Sequence, residues 1–241
     1  MIKNEIFIGY DDRERVAYNV CAFSIMRRSS QPIDITPLKL DALRKEGLYT
    51  RPHIKRKRGY LWDVISDAPM ATEFANSRWL VPYLAENKWS LFMDCDMLLV
   101  TDINKVFQQV DDKYAVMCVK HDYQPKDTVK MDNCEQTQYS RKNWSSFMLI
   151  NKQHPANKRL TLKMINETPG RDLHRFCWLN DDEIGGLDEG WNWLEGHSPK
   201  DTLDIYNIHY TRGGPWFDEW KDVDLANIWE AEYALYKRVR S

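Results

Sequence analysis

The feature that most limits the fold of this chain is a series of apolar runs of strand length, each followed by polar residues. The runs are Glu5–Gly9, Lys88–Met93, Tyr114–Val119 and Ser146–Ile150. Apolar runs of this length, separated by helix-length segments, are typical of buried strands in a mostly parallel sheet. The sequence therefore predicts an α/β fold in which helices flank a mostly parallel central sheet.

The segments between these runs predict the other elements. Arg13–Arg28 and residues 69–86 have helical periodicity, although Pro82 requires the second helix to kink or break. Ile33–Leu38 alternates like a strand. Residues 41–66 are polar and irregular, which indicates a loop that lies over another part of the protein.

Composition limits the classes of protein that the chain can belong to. With 241 residues, of which 43% are apolar, it can bury a sizeable core, and we expect one domain spanning residues 1–241. The formal net charge is −2, so no nucleic-acid partner is expected. Five cysteines without a CxxC pair favour reduced thiols. The chain lacks both a signal-peptide pattern and an apolar run of about 20 residues, which predicts a cytoplasmic location.

The run Leu91–Val100, LFMDCDMLLV, places two aspartates between large apolar residues. Strand side chains alternate, so Asp94 and Asp96 point to the same side if the strand continues through them, and Cys95 points away. Two carboxylates placed together repel each other and are costly to remove from water. Mg²⁺ or Mn²⁺ is a natural partner because both ions prefer oxygen ligands. The alternative is a turn in which the two aspartates cap backbone amides.

Polar groups follow three of the predicted strands. They are Tyr10-Asp11, Asp94-Cys95-Asp96 and Lys120-His121-Asp122. In open α/β sheets, ligands bind beyond the carboxyl ends of the strands. The sequence therefore predicts a functional site at this edge of the sheet.

Four separated motifs resemble glycosyltransferase family 8 and its bacterial and phage relatives, and they occur in the family's order. The motifs are TEFANSRWLVPYLAENKWSLFMDCDMLLVTDINKVF (Thr72–Phe107), NWSSFMLIN (Asn143–Asn151), LNDDEIG (Leu179–Gly185) and IHYTRGGPW (Ile208–Trp216). They span nearly the whole chain. Together they are far more specific than the Asp94-Cys95-Asp96 pattern (a DxD motif) alone. The resemblance implies a single GT-A type domain with a Rossmann-like nucleotide-binding half.

The resemblance also implies an activity. We expect a metal-dependent, retaining glycosyltransferase of the hexosyltransferase type, which moves a sugar from a UDP-sugar to an acceptor hydroxyl on a glycan, lipid or protein. In the family, the DxD carboxylates and a C-terminal histidine hold Mn²⁺. Carried over, these ligands are Asp94, Asp96 and His209, with Mn²⁺ or Mg²⁺ as the ion. The implied parts of the chain are a nucleotide-sugar-binding half (1–120), an acceptor and sugar half (121–220) and a C-terminal helix (221–241).

Other site residues follow from the same resemblance. Tyr10 and Asp11 match the position that contacts the nucleobase. Arg78 matches an arginine that pairs with the donor phosphate or with the DxD carboxylates. Asp181 and Asp182 match residues near the anomeric carbon, and one of them is expected to assist a retaining transfer.

One position departs from the family pattern. The family places a lysine before its Pro-Trp pair, where it contacts the diphosphate, but Gly214 occupies that position here. Either Arg212 supplies the missing charge, or Gly213 and Gly214 offer backbone amides to a phosphate oxygen. Both alternatives stay open.

Two other functions fit parts of the sequence. A catalytically silent module would bind a nucleotide sugar or a glycan in a groove lined by aromatic side chains. A haloacid-dehalogenase-like phosphatase also has an apolar strand before DxD, but normally near the start of the chain and followed by small residues.

The terminal helix, which ends in KRVR, predicts core packing, with peripheral contact to an anionic membrane as the alternative. Residues 120–143 indicate a loop that faces the sugar or the acceptor.

Overall fold

The computed structural model describes residues 3–56, 60–122, 129–130, 134–135, 141–199, 201 and 204–240. Its strands are β1 (Asn4–Gly9), β2 (Ile33–Leu38), β3 (His53–Lys55), β4 (Leu61–Asp63), β5 (Ala68–Met70), β6 (Trp89–Met93), β7 (Met97–Leu99), β8 (Val116–Cys118), β9 (Val129–Lys130), β10 (Cys134–Glu135), β11 (Phe147–Asn151), β12 (Ile184–Gly186), β13 (Trp193–Leu194) and β14 (Asn207–His209). Its α-helices are α1 (Arg15–Arg28), α2 (Leu40–Lys45), α3 (Val81–Leu84), α4 (Asn104–Phe107), α5 (Leu162–Glu167), α6 (Gly170–His174) and α7 (Ala226–Arg240).

The central sheet has six strands in the order β12-β8-β11-β6-β1-β2. Strand β1 is parallel to β2 and β6, and β12 is parallel to β8. Strand β11 runs antiparallel to both of its neighbours, β6 and β8. The inner strands are continuous apolar runs because both of their faces are buried, as the adjacent pairs Ile6-Phe7 and Leu91-Phe92 show. The prediction of an α/β fold with a mostly parallel central sheet and a terminal helix is confirmed.

A second sheet, in the order β13-β14-β7, brings a late part of the chain to the DxD segment. Strand β14 runs antiparallel to β7, and His209 stands opposite Met97. The N–H of Tyr210 donates to the carbonyl of Asp96 at 3.0 Å. This pairing places His209 beside the two aspartates, although they lie far apart in sequence.

The helix predicted over residues 69–86 is wrong in its first half. Pro69 lies in β5, an edge strand, where a residue without an N–H is tolerated. Arg78 lies in a short 3₁₀ turn. The α-helix α3 follows this turn and holds Pro82 in its first turn, where the missing N–H costs little. Arg78 is therefore carried by a single helical turn rather than by a long helix.

Residues 41–66, expected as an irregular loop, contain ordered structure. Strands β3, β4 and β5 form an antiparallel sheet, named here the flap sheet. Arg51 and Asp63 are fully buried and form an ion pair beneath it. Arg51 Nη1 also donates to the carbonyls of Ile165 and Thr168, at 2.9 and 2.6 Å. These bonds hold the flap sheet against α5.

The terminal helix α7 packs on α1 around a buried carboxylate. Glu232 accepts hydrogen bonds from Arg27 Nε and Nη2, both at 2.8 Å, and from Arg28 Nη2 at 2.6 Å. Burial raises the pKa of the Glu232 carboxyl, but the bonds from the two arginines outweigh burial and hold its pKa below the usual value. The Phe23 and Tyr236 rings meet edge to face beside this cluster, with centroids 5.7 Å apart.

Two further sequence predictions concern the loop over residues 120–143 and membrane-spanning segments. The loop expected to face the sugar or the acceptor falls mostly on residues 123–128, 131–133 and 136–140, outside the described residues. Among the residues that are described, none of the helices combines the length and the apolar character needed to cross a membrane.

We expect E232Q to lower the free energy of unfolding at pH 7 by about 2 kcal/mol, because charge-assisted hydrogen bonds to two arginines become neutral ones. The pKa of Glu232 is lowered in the folded protein, so its contribution is present above the ordinary glutamate pKa. That contribution is lost as the pH falls through the lower, folded value. Urea unfolding between pH 7 and about pH 3 measures the effect, and the gap to wild type narrows with falling pH.

The exposed Glu230 lies on the same helix and provides a matched control. E230Q should unfold like the wild type throughout this pH range. Equal stability of E232Q and wild type at pH 7 would contradict the role given to the buried carboxylate.

Candidate metal centre and its cavity

The three residues predicted as metal ligands meet at the carboxyl end of β6. One ligand atom of each of Asp94, Asp96 and His209 lies within 4.8 Å of the other two. Cys95, between the aspartates, is fully buried, and its Sγ lies 3.7 Å from Glu14 Oε2. The structure thus groups the predicted ligands and places the intervening thiol in the core.

Arg78 supports Asp94 from the protein interior. Its Nη1 lies 2.9 Å from Asp94 Oδ1 and donates to the carbonyl of Ser145 at 2.8 Å. Its Nε donates to the carbonyl of Ala75 at 3.0 Å, and the guanidinium lies 4.8 Å from the centre of the Phe92 ring. Because Arg78 is 5% exposed, the pair is largely removed from water. Arg78 therefore neutralises and orients one of the two carboxylates.

Asn192 fixes the protonation pattern of the His209 ring. The carbonyl of Asn143 can only accept a hydrogen bond, so the Asn192 atom 3.2 Å from it is the amide nitrogen, Nδ2. The same nitrogen donates to Ser146 Oγ at 2.9 Å. Asn192 Oδ1 therefore faces His209 Nδ1, at 2.9 Å, and requires a proton on that nitrogen. A neutral His209 then keeps its lone pair on Nε2.

The Nε2 atom of His209 faces Asp96 and lies 3.4 Å from its Oδ1. In the neutral ring both atoms are hydrogen-bond acceptors, so they repel each other unless a cation lies between them. A histidine whose second nitrogen is held by another side chain is typical of metal ligands. Two carboxylates and one imidazole also form a suitable donor set for Mn²⁺ or Mg²⁺. The residues present therefore fit the ion that the sequence predicted.

The three ligands lie on the wall of a cavity of about 600 Å³, a volume typical of sites for small organic ligands. The other walls come from the flap sheet and the segment after it, from residues 142–146, and from α6 and the segment after β14. Polar residues among the described lining are Glu14, Tyr60, Asp63, Ser66, Asp67, Thr72, Asn76, Arg78, Lys142, Asn143, Ser145, Ser146, Arg171, His174, Thr211 and Arg212.

Two buried titratable groups lie beside the metal ligands. Burial raises the pKa of the Glu14 carboxyl well above its usual value, and the nearby carboxylates of Asp96 and Asp11 raise it further. Burial, together with the neighbouring His209, lowers the pKa of His121 to about 4. His121 is therefore uncharged at neutral pH, and the raised pKa of Glu14 favours its uncharged form.

Tyr10 and Asp11 follow β1, but neither is among the described residues that line the cavity. The Tyr10 hydroxyl donates to Asp12 Oδ1 at 2.8 Å. Asp11 is buried and accepts hydrogen bonds from Arg13 Nη2, at 2.7 Å, and from the N–H of Glu73, at 3.0 Å. Asp11 thus ties the end of β1 to the segment after the flap sheet. The nucleobase contact predicted for both residues stays a prediction.

Arg212 and Gly213 line the cavity, as expected from their place after His209. Arg212 Nε and Nη2 donate to the two carboxylate oxygens of Glu195, at 3.0 and 2.7 Å, and Glu195 is fully buried. The N–H of Gly213 donates to the carbonyl of Tyr210 at 3.0 Å. Gly214 is not among the described lining residues. The phosphate contact predicted for these three residues stays a prediction.

Asp181 and Asp182 lie in a 3₁₀ turn before β12 and are exposed. Neither is among the described residues of the cavity wall. Asp181 Oδ1 accepts a hydrogen bond from Arg141 Nη2 at 2.5 Å, and Arg141 precedes the cavity residue Lys142. The catalytic role predicted for the two aspartates stays a prediction.

Asn192 was not predicted from the sequence, although Asn192, like the aspartates of the DxD segment, is a polar residue inside an apolar run. Asn192 and Glu195 lie in the run WNWLE, and both are fully buried. A polar side chain inside such an apolar run needs a partner within the protein, so the run itself points to a polar network. Lys142 and Glu14 gave no such signal because they lie in polar segments.

Comparison with solved structures identifies the fold. The bifunctional glycosyltransferase WbbM is 12% identical, with a TM-score of 0.62 over 96% of this chain and 50% of WbbM. GlyE of Streptococcus pneumoniae TIGR4 is 12% identical, with a TM-score of 0.61 over 98% of this chain and 62% of GlyE. The galactosyltransferase LgtC is 13% identical, with a TM-score of 0.59 over 95% of each chain. The chain thus spans less than two thirds of WbbM and GlyE and nearly all of LgtC.

Sequence comparison places the chain among known proteins. No protein-family model matches it. Protein CDI of Arabidopsis thaliana is 49% identical over 238 residues, which cover 97% of this chain and 87% of Protein CDI. The chain therefore belongs to the family of Protein CDI, and it has the GT-A fold of glycosyltransferases.

Proposed function

We propose that the chain is a metal-dependent glycosyltransferase that moves a sugar from a nucleotide sugar to an acceptor hydroxyl, with retention at the anomeric carbon. The observation that carries this proposal is the cluster of Asp94, Asp96 and His209 on the wall of a cavity of about 600 Å³, in a GT-A fold. We expect the donor to be a UDP-sugar, the ion to be Mn²⁺ or Mg²⁺, and the reaction to take place in the cytoplasm.

The residues of the cavity have separate tasks in this proposal. When bound, the divalent ion neutralises negative charge on the diphosphate of the donor. Arg78 holds Asp94, and Asn192 holds His209, so the ligands are oriented before the ion arrives. Residues of the flap sheet line one side of the cavity.

Solved relatives of the fold support a cavity that takes two sugars. LgtC was solved in complex with donor and acceptor sugar analogues, and its fold matches 95% of this chain. The acceptor of the present chain, whether a glycan, a lipid or a protein, belongs to the same proposal.

The two rival functions differ from this proposal in measurable ways. A silent binding module keeps metal and nucleotide binding but has no turnover. A phosphatase of the haloacid-dehalogenase type would need Asp94 as a nucleophile, whereas Asp94 Oδ1 lies 2.9 Å from Arg78 Nη1. Incubation with a panel of nucleotide sugars and Mn²⁺ separates them, because a transferase hydrolyses its donor slowly even without an acceptor. Release of phosphate from a generic ester would favour the phosphatase.

We expect D96N to abolish hydrolysis of the preferred nucleotide sugar and to weaken Mn²⁺ binding by about a hundredfold or more. The reason is that a neutral amide replaces an anionic ligand while the shape of the side chain is kept. The loss should exceed the ten- to hundredfold that is typical when a residue supporting a ligand is changed. Calorimetric titration with Mn²⁺, with and without UDP, measures it.

D12N is a matched control, because Asp12 is an exposed aspartate that follows β1, the strand next to β6. The hydrogen bond described for its side chain comes from Tyr10. It should bind Mn²⁺ like the wild type. If D96N folds and binds Mn²⁺ with wild-type affinity, Asp96 is not a ligand.

We expect N192A to weaken Mn²⁺ binding by about ten- to a hundredfold, because His209 loses the acceptor that keeps the proton on Nδ1. A second readout is the ¹⁵N chemical shift of the two ring nitrogens of His209 without metal. The wild type should show the Nδ1–H form, and N192A should show a mixture of both tautomers.

Asn166 provides the matched control for loss of a buried asparagine, because it bonds the backbone of Thr50 and Leu48 far from the metal ligands. N166A is expected to lower stability without changing Mn²⁺ affinity or the His209 tautomer. Wild-type metal affinity in N192A would show that the tautomer is set in another way.

The role predicted for Asp181 and Asp182 has its own test. One of the variants D181N and D182N should lower kcat for sugar transfer by about a hundredfold or more, with unchanged Mn²⁺ affinity, because the lost carboxylate acts on the sugar. E183Q changes the next residue of the same turn and should keep wild-type turnover. Unchanged kcat in both aspartate variants would remove these residues from the mechanism.

A further inference from the structure

Four cationic side chains are found among the described residues of the cavity wall. They are Arg78, Lys142, Arg171 and Arg212. Arg78 is neutralised by Asp94, and Arg212 forms two hydrogen bonds with the buried carboxylate of Glu195. A charged ligand that enters the cavity therefore meets two guanidinium groups that each already bind a carboxylate.

The position before the Pro-Trp pair is filled by a neighbouring ring in this chain. A Cβ atom on Gly214 would lie 2.0 Å from Cζ3 of the Trp216 ring, which is a severe overlap. The ring in turn meets Tyr210 edge to face, with centroids 5.9 Å apart. Residue 214 itself offers no cation, so a cation for an anionic ligand comes from Arg78, Lys142, Arg171 or Arg212 among the described wall residues.

Lys142 is presented to the cavity by a strained and braced turn. It is 9% exposed, and it lies between Arg141 and Asn143, which have φ angles of 61° and 62°. Left-handed backbone is tolerated by asparagine but costs energy at arginine, and such strain is concentrated at functional sites. Arg141 Nη1 donates to the carbonyl of Arg175 at 2.5 Å, which adds to its bond with Asp181. The turn is thus held in place from outside the cavity.

The same turn is bonded to the supports of two metal ligands. The carbonyl of Asn143 accepts from Asn192, which orients His209. Three residues after Lys142, the carbonyl of Ser145 accepts from Arg78, which holds Asp94. Lys142 therefore stands on a segment whose position is fixed relative to the metal centre on both sides.

We propose that Lys142 binds the diphosphate of the nucleotide, next to the metal ion. This inference rests on the proposed function, because it assumes a nucleoside diphosphate as the ligand of the cavity. An ammonium group is a compact point charge that suits phosphate oxygens, and its partial burial strengthens the interaction. Lys142 thereby supplies positive charge beside the diphosphate, since the motif Ile208–Trp216 contains no lysine.

The test uses two probes, inorganic pyrophosphate and UDP, each titrated with Mn²⁺ present. The neutral variants K142M and K142Q should weaken the binding of both probes by about ten- to a hundredfold, while Mn²⁺ affinity without either probe stays unchanged. K142Q keeps the test valid if K142M does not fold. K152M is the matched control, because Lys152 bonds the carbonyl of Ala85 and is not among the described cavity residues.

Each outcome decides the proposal. Wild-type affinity for pyrophosphate in the folded variants overturns it, and so does a wild type that binds no pyrophosphate with Mn²⁺. Loss of pyrophosphate binding in the variants, in a protein that binds no nucleoside diphosphate and turns over no nucleotide sugar, keeps the anion site and rejects the proposed function. A loss of Mn²⁺ affinity equal to the loss of pyrophosphate affinity also overturns it, since Lys142 would then act on the metal ligands.

Discussion

Asp94 and Asp96 leave the central sheet side by side at the end of a buried strand, where their negative charges are costly to keep out of water. Two neighbouring side chains contact these carboxylates and offset the cost. Arg78 approaches Asp94 from beneath, and β14 brings His209 against Asp96 from the side. In the proposed function, a divalent cation supplies the remaining positive charge. The 3₁₀ turn, β14 and Asn192 each place a side chain that supports this cluster.

The sequence predicted the central sheet well because its inner strands are buried on both faces and read as apolar runs. It failed over residues 69–86, where apolar residues at helical spacing belong to three different short elements. Phe74 shows why: its ring lies 2.3 Å from where a Cβ of Gly9 would be, so it packs on the end of β1 instead of on a helical face. Such a contact joins distant parts of the chain and overrides local periodicity. The flap sheet escaped prediction for a related reason, since its strands have only three residues each and are held by the buried Arg51–Asp63 pair.

The metal centre could be predicted because a buried acid is conspicuous in an apolar run. The same reasoning, applied to WNWLE, finds Asn192 and Glu195 but does not say that one orients a ligand and the other holds an arginine. That distinction depends on which atoms meet across strands β13, β14 and β7, and no spacing in the sequence encodes it. Lys142 is harder still, because its burial, its place in the cavity wall and the left-handed backbone on either side of it are visible only in the structure.

The ring that fills the space above Gly214 also links this position to the packing of the terminal helix. Trp216 packs against Tyr210 and against Trp229 of the terminal helix, with ring centroids 5.9 and 5.5 Å apart. A side chain at position 214 would have to displace the Trp216 ring, and a smaller residue at 216 would open a gap against α7. Residue 214 is therefore coupled, through that ring, to the packing of the terminal helix.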